Sequence, residues 1–418
     1  MVRTRLSAWF PHPVEVPLRL HWYVLIFLFL APPLAAQQPL SRADAIVRAL
    51  AESPRLAAAR ADTSAARARA VTARSVPDPT LAASYTKSTP QYHLTAEMPL
   101  DDIWLRGLRV HAAEVDQLAA RYRERFARAA VALDVDTSYT RALAALAHEA
   151  LSARNANDAD SLRRIAAARL LAGDASELEV ELATLTAGQE GNAAAADSVS
   201  AVAALLELQS LLGLPTDRTT LTLSDSLVPV TRAEPDSLVA SPLLVASSAA
   251  ALQSAALTLR LQRRSAWGSP GLIFGFETGD PTGAEPGLLP TIGFSLPLPI
   301  FNRNRGPIAE ALAERDRADA ELQVVTLESR TELAIARAQR RAANSRLSRD
   351  ATLLRSADRV ASLAMTAYTE GAAPLANVLE AQRSARDVRS QYIDDVSTLL
   401  IADATLRLLT LTTATGSP

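Results

Sequence analysis

The stretch Leu289-Pro-Thr-Ile-Gly-Phe-Ser-Leu-Pro-Leu-Pro-Ile-Phe-Asn-Arg-Asn-Arg-Gly-Pro-Ile-Ala-Glu-Ala-Leu-Ala-Glu-Arg-Asp-Arg317 decides the fold. In its first half Ile292, Phe294 and Leu296 alternate with Thr291, Gly293 and Ser295, the period of two expected of a strand with one apolar face. Pro297 and Pro299 end the ladder, because proline has no N–H to give it. After the polar knot Asn302-Arg303-Asn304-Arg305-Gly306, Pro307 stands where proline favours a first helical turn. Ala, Leu, Glu and Arg then continue with almost no breaker for roughly 60 residues, a composition of strong helix formers. A strand feeding directly into so long a helix is foreign to an ordinary globular enzyme.

Outward from this joint the chain repeats itself. Ser53-Pro54 opens a helix that Pro77-Asp78-Pro79 stops. Leu81, Ala83 and Tyr85 alternate on one strand; Tyr92, Leu94, Ala96 and Met98 alternate on a second, which Pro99 closes. The pattern predicts helix from about Ile103 to Ala172, interrupted near Asn155-Ala-Asn157, then a turn at Gly173 and helix from Glu177 to Leu212. Ser241-Pro242 restarts the order, with a helix to about Trp267 and a strand through Leu272, Phe274 and Phe276. The opening stretch follows, then a turn at Gly371 and a last helix to about Leu411. The offsets are nearly constant: 297 − 99 = 198, 371 − 173 = 198, 306 − 107 = 199 and 242 − 54 = 188. Strand pairs, proline stops and glycine turns in one order mark a tandem duplication. Residues 37–215 form the first copy (strands about 79–86 and 91–99), 216–236 a connector, 237–412 the second copy (strands about 271–278 and 290–299) and 413–418 a tail.

Composition agrees. The apolar share is 49% but aromatics only 5%, which suits long packed helices more than a thick core. A net charge of −2 with interspersed signs disfavours nucleic acid as a partner. With no cysteine there are no disulfides, no thiolate chemistry and no N-terminal lipoprotein anchor. Arg3, Arg5 and Arg19, an apolar run from Trp22 to Ala31 and small residues before Gln37 predict a signal peptide over 1–36. No phosphate loop, nucleophile elbow or HExxH occurs, and the histidines stand far apart. We expect no enzyme, no cofactor and no metal site.

Four one-faced strands suit a tilted membrane crossing. They cannot close a barrel alone, and open edges in lipid leave backbone groups unpaired at several kcal/mol each. Three copies giving twelve strands is the economical closure, extended by helices on the order of 100 Å long. A different class of protein, an exported coiled-coil structural or adhesive chain without a pore, remains the alternative. The fold class expected is mainly α with a β-barrel portion.

The element order, the strand entry Pro77-Asp-Pro-Thr-Leu81 and the run Phe294-Ser-Leu-Pro-Leu-Pro-Ile-Phe-Asn-Arg-Asn-Arg-Gly306 resemble the TolC-type outer-membrane efflux proteins. Within that family the chain looks most like members of heavy-metal and cation RND efflux systems. The resemblance implies a homotrimer in the outer membrane of a Gram-negative-type bacterium, reaching into the periplasm to meet an adaptor protein and an inner-membrane pump. The chain would then be the passive exit duct of a tripartite efflux or type I secretion system. It further implies adaptor docking at the helical tips, around Arg169, Gly173, Tyr368 and Gly371. A constriction near Glu380 and Asn377 follows, with Glu179 as the first-repeat counterpart; Asn377 departs from the family's acidic habit. Tyr85, Tyr92, Phe274, Phe276, Ile292 and Phe294 are expected to face lipid by alternation, with His93 and Glu97 facing the lumen. Pro297, Pro299, Asn302, Arg305 and Gly306 form the barrel-to-helix joint.

Overall fold

The computed structural model describes residues 39–100, 103–230, 242–283 and 287–412. The expected signal peptide, the tail, Ser241 and the end of the connector lie outside the described residues.

The first repeat opens with α1 (Arg42–Glu52) and α2 (Pro54–Arg74). Ser41 caps α1 through its side chain, and Pro54 begins α2, where a missing N–H removes no helical bond. Strands β1 (Thr80–Tyr85) and β2 (Tyr92–Pro99) follow, then α3 (Arg106–Ala172) and α4 (Glu177–Leu211). The second repeat gives α5 (Leu243–Arg264), β3 (Gly271–Thr278), β4 (Leu289–Ser295), α6 (Arg305–Thr369) and α7 (Leu375–Leu409). The long arms match closely: 67 residues in α3 against 65 in α6, and 35 in both α4 and α7.

Two expectations need correction. α3 runs unbroken through Asn155-Ala-Asn157. Buried Leu151 and Ser152 before it and Ala159 and Leu162 after it keep one face packed, which outweighs the few tenths of a kcal/mol that asparagine costs a helix. β4 ends at Ser295 rather than 299, because Ser295 pairs with Gly271, the first residue of β3, and no partner strand continues. The two prolines therefore lie beyond the ladder instead of cutting it.

The sheet is antiparallel in the order β1-β2-β3-β4. Around it α3 is the spine. Near the sheet its Ala112, Val115 and Ala119 pack on Ala250 and Leu257 of α5. At mid-height Val131, Val135, Tyr139 and Leu143 bury against α1 and against Leu205 and Leu208 of α4. At the far end it meets both α4 and the α6–α7 turn. α5 is apolar enough by length and composition to cross a membrane, yet it lies along α3, where Ser247 and Ser254 donate to the Ala119 and Ala112 carbonyls. Asp136 of α3 ties the middle together by ion-pairing with Arg42 of α1 and Arg407 of α7. Each repeat alone would expose one side of these long helices, so docking the repeats is what buries α3.

Candidate functional site

The two helical turns come together at one end. Gly173 caps α3 at φ +83°, with its N–H donating to Leu170 O at 3.0 Å and Asp174 N donating to Arg169 O at 2.9 Å. Gly371 takes φ +76° at the equivalent place after α6. Both conformations are left-handed, where a Cβ is strained. Beneath the turns Leu162, Ala166, Ala183, Leu375 and Val378 form a small core around the Tyr368 ring. Each large apolar side chain fully buried there contributes about 1.5–3 kcal/mol.

Arg169 crosses from one hairpin to the other. Its guanidinium lies 4.6 Å from the Tyr368 ring centroid and donates to Tyr368 O at 2.8 Å and to Asp174 O at 3.3 Å. Tyr368 is fully buried, so its side chain presents no docking surface as the sequence suggested; it braces the tip from inside. Burial chiefly, and then the Glu179 charge, push its phenol pKa up, while Arg169 acts the other way. Glu179 is half-buried in the first turn of α4, where its N–H donates to the capping Ser176 Oγ at 3.3 Å. The most exposed large apolar side chain at the tip is Leu171, at 91%.

Asn377 and Glu380 are exposed on the first two turns of α7. Glu380 lines a cleft of about 730 Å³ between α3, α4 and α7, whose wall also carries Glu190, Asp197, Arg383, Arg386 and Asp387. Asn377 is not part of that wall. Two ties cross this cleft that sequence reading missed: Arg386 pairs with Glu190, and His148 Nε2 lies 3.0 Å from Asp394 Oδ1. Nothing in the local sequence marks them, since each joins residues far apart along the chain.

At the sheet the register settles the faces. Tyr85 pairs with Tyr92, Phe276 with Leu94 and Pro290, and Phe274 with Ala96 and Ile292, so every aromatic position of the strands shares one face, while Ile273 and Leu289 stand on the other beside Glu97 and Glu277. Tyr85, Tyr92, Phe274, Phe276, Ile292 and Phe294 are all exposed there. The opposite face carries His93, Thr95, Glu97 and Glu277 with Gly271, Gly275 and Gly293. Glu97 lies across Gly271, where a Cβ would meet its carboxylate at 2.3 Å. His93 Nδ1 stands 3.4 Å from Glu277 Oε1. Among the described residues no three His, Cys, Asp or Glu side chains gather as a metal site.

The joint is built around a residue the sequence did not single out. Asn304 adopts φ +57°, and its amide donates to Gln262 O at 2.8 Å and Ser265 Oγ at 3.0 Å at the end of α5. Asn302 Oδ1 accepts from Asn304 N at 3.0 Å, and Arg305 and Gly306 begin α6. Pro297 packs over Gly268, and Pro299 sits in a tight turn where Ile300 N donates to Leu298 O at 2.9 Å.

A four-stranded sheet with one predominantly apolar, exposed face, open at both edges and joined to helical hairpins, is the protomer of a membrane channel. The chain belongs to the outer membrane efflux protein family, whose sequence model matches residues 45–214 and 289–410. Among solved structures it is similar to the CmeC outer-membrane channel of Campylobacter jejuni, with a TM-score of 0.76 at 16% identity over 88% of this chain and 85% of that one. It is also similar to CusC (TM-score 0.74, 19% identity, 88% and 91% covered). The open MtrE outer-membrane channel of Neisseria gonorrhoeae gives a TM-score of 0.74 at 18% identity, with 88% of each chain covered. A sequence comparison with curated proteins gives no significant match. The protein is an outer-membrane channel, the exit duct of an efflux system, with its helical part extending into the periplasm. The pore-less coiled-coil alternative finds no support.

Proposed function

We propose that three copies close around one axis into a twelve-stranded barrel continued by a helical tube, conducting cargo passively from an inner-membrane pump. One observation carries this reading: the chain has complementary open edges on opposite sides. β1 and β4 have no outer neighbour among the described residues, and unpaired strand edges are not tolerated in lipid. On the helical side α4 packs mainly on α3, leaving Leu185, Val199 and Val202 exposed. α6 leaves Leu327, Ile335, Val360 and Leu363 exposed at the other flank. Head-to-tail pairing of β4 with β1 and of α6 with α4 of the next copy satisfies both edges with one rotation.

The apolar sheet face then meets outer-membrane lipid and the His93–Glu97 face lines the lumen. The tips, with Leu171 exposed, receive the periplasmic adaptor around Gly173 and Gly371. The Arg169–Tyr368 brace holds the hairpins together until the tip dilates. Three-fold symmetry turns Glu380 into a ring of carboxylates that attracts cations, with Glu179 and Asn377 beside it at the narrow end. The chain needs no cofactor and performs no reaction of its own.

Outer-membrane fractionation with heat-modifiable trimers, and conductance in planar bilayers, test the duct; a soluble monomer without conductance overturns it. In the same bilayers Glu380→Gln lowers cation over anion selectivity in a salt gradient. An unchanged reversal potential removes Glu380 from the constriction.

A further inference from the structure

The apolar face of β4 does not stop with the strand. Ile292 and Phe294 are followed at the same spacing of two by Leu296, Leu298 (67% exposed) and Ile300, and Phe301 is 100% exposed. Few buried contacts exist for these side chains, yet the segment is pinned at both ends. Pro297 sits on Gly268, where a Cβ would lie 2.6 Å from its Cγ, and Asn304 is bonded to the end of α5 by 2.8 and 3.0 Å hydrogen bonds. The offset of 198 that relates Pro99 to Pro297 maps Ile103 onto Phe301, since 301 − 198 = 103. Ile103 is 76% exposed as well. Both repeats therefore hold out a large apolar side chain just beyond the sheet.

Length gives this a purpose. β4 has 7 residues, about 23 Å at 3.3 Å per residue, which covers about 16 Å of depth at the usual 45° tilt. The apolar band of an outer-membrane barrel is about 25 Å tall. Carrying the stripe on to Leu298 brings the depth to about 23 Å at the same rise and tilt, and Ile300 N then donates to Leu298 O at 2.9 Å in a turn that leads into Phe301. Immediately past the stripe come Arg303 and Arg305, both exposed and without a hydrogen-bond or ion-pair partner among the described residues. Apolar side chains ending in arginines match a leaflet boundary, acyl chains first and phosphates next.

We propose that Leu296–Phe301, joined by Ile103 of the first repeat, form a collar sunk in the periplasmic leaflet of the outer membrane, with Arg303 and Arg305 on phospholipid phosphates. The collar completes the hydrophobic thickness that the short ladders leave unfilled. It rests on the barrel reading above. The partner is phospholipid, because the stripe is continuous with the lipid-facing side of β4 and ends in positive charge.

The absence of cysteine makes the test direct. Phe301→Cys, Leu298→Cys, Ile292→Cys and Ala351→Cys are each made in the full chain and nitroxide-labelled. They are reconstituted in vesicles of phosphatidylethanolamine and phosphatidylglycerol and read by collisions with oxygen and with a water-soluble nickel chelate. The expected result is loss of nickel collisions at 301 and 298 to the level at Ile292, with oxygen collisions several-fold above those at the helical control Ala351. Omitting phosphatidylglycerol or introducing Arg303→Gln with Arg305→Gln moves the 301 label toward water. Nickel access at 301 equal to that at 351 overturns the collar. So does shielding from both reagents, which means that another copy covers the segment. If the Ile292 label itself collides freely with nickel, the barrel reading fails and the collar with it.

Discussion

The two long hairpins solve one packing problem with different chemistry. In the second, Arg340 of α6 pairs with Asp403 of α7, and both side chains are almost fully buried. Subtracting the repeat offset gives 340 − 198 = 142 and 403 − 198 = 205. In the first hairpin those positions are Ala142 and Leu205, both in an apolar cluster. Arg346–Asp395 and Asp358–Arg389 add two more cross-links between α6 and α7. Among the described residues no ion pair joins α3 to α4; α4 instead packs through Ala183, Ala201, Leu205 and Leu208, which are buried. The repeat is thus conserved in length, turn and apolar stripe, and not in its contacts. A buried ion pair and an Ala–Leu contact occupy the same level because the backbone asks only for a filled interface, while polar pairing adds a preference for one register.

Breaking the second hairpin's pair has the largest expected effect. Arg340→Ala leaves Asp403 buried without its partner and costs about 3–5 kcal/mol, read as a lower denaturant midpoint by circular dichroism. Arg340→Leu with Asp403→Leu imitates the first hairpin and is neutral or stabilising by about 1–4 kcal/mol. A double variant as unstable as Arg340→Ala would show that the two hairpins are not interchangeable at this level.

The tips sharpen the comparison at lower amplitude. Gly173→Ala and Gly371→Ala each cost about 1–2 kcal/mol, the penalty for a side chain in the left-handed region. The cost should be alike at both turns, since a Cβ meets nothing within 4 Å at Gly173 and only Arg169 Nη2 at 3.8 Å at Gly371. A much larger loss at Gly371 would mean that the Arg169 brace carries more of the tip's stability than the turns do.

The smallest effect is a pH dependence confined to the second hairpin. Asp350 of α6 is 5% exposed; burial first, and then the Asp395 charge, raise its carboxyl pKa, with Arg349 and Arg346 opposing. Asp395 itself accepts from Arg346 at 2.6 Å and Gln391 at 3.2 Å. A carboxyl raised in the folded state stabilises it when protonated, and that contribution is lost as pH rises through the raised value. Asp350→Asn therefore unfolds at a higher temperature than the parent at neutral pH. The gain shrinks as pH falls through the carboxylate range. The equivalent first-repeat position, Ser152, has no such dependence to remove.

Much of this was legible in the sequence, for a local reason. Proline lacks an N–H, glycine tolerates positive φ, and alternation or helical spacing of apolar residues acts within a few positions of the chain. Those rules placed the strands, the hairpin turns at Gly173 and Gly371, the apolar sheet face and the duplication. The family came instead from a resemblance, carried by the element order and the runs Pro77–Leu81 and Phe294–Gly306. What the local rules could not supply was anything depending on how the repeats dock. Tyr368 looked like a surface residue of a tip, and only the fold shows it under Arg169, 199 positions away. The break expected at Asn155-Ala-Asn157 vanished because neighbours on other helices bury α3 on both sides of it. β4 stopped at Ser295 because its partner begins at Gly271. Local chemistry sets where elements start and stop; which side chains are buried, paired or left facing lipid follows from contacts between residues that the sequence keeps far apart.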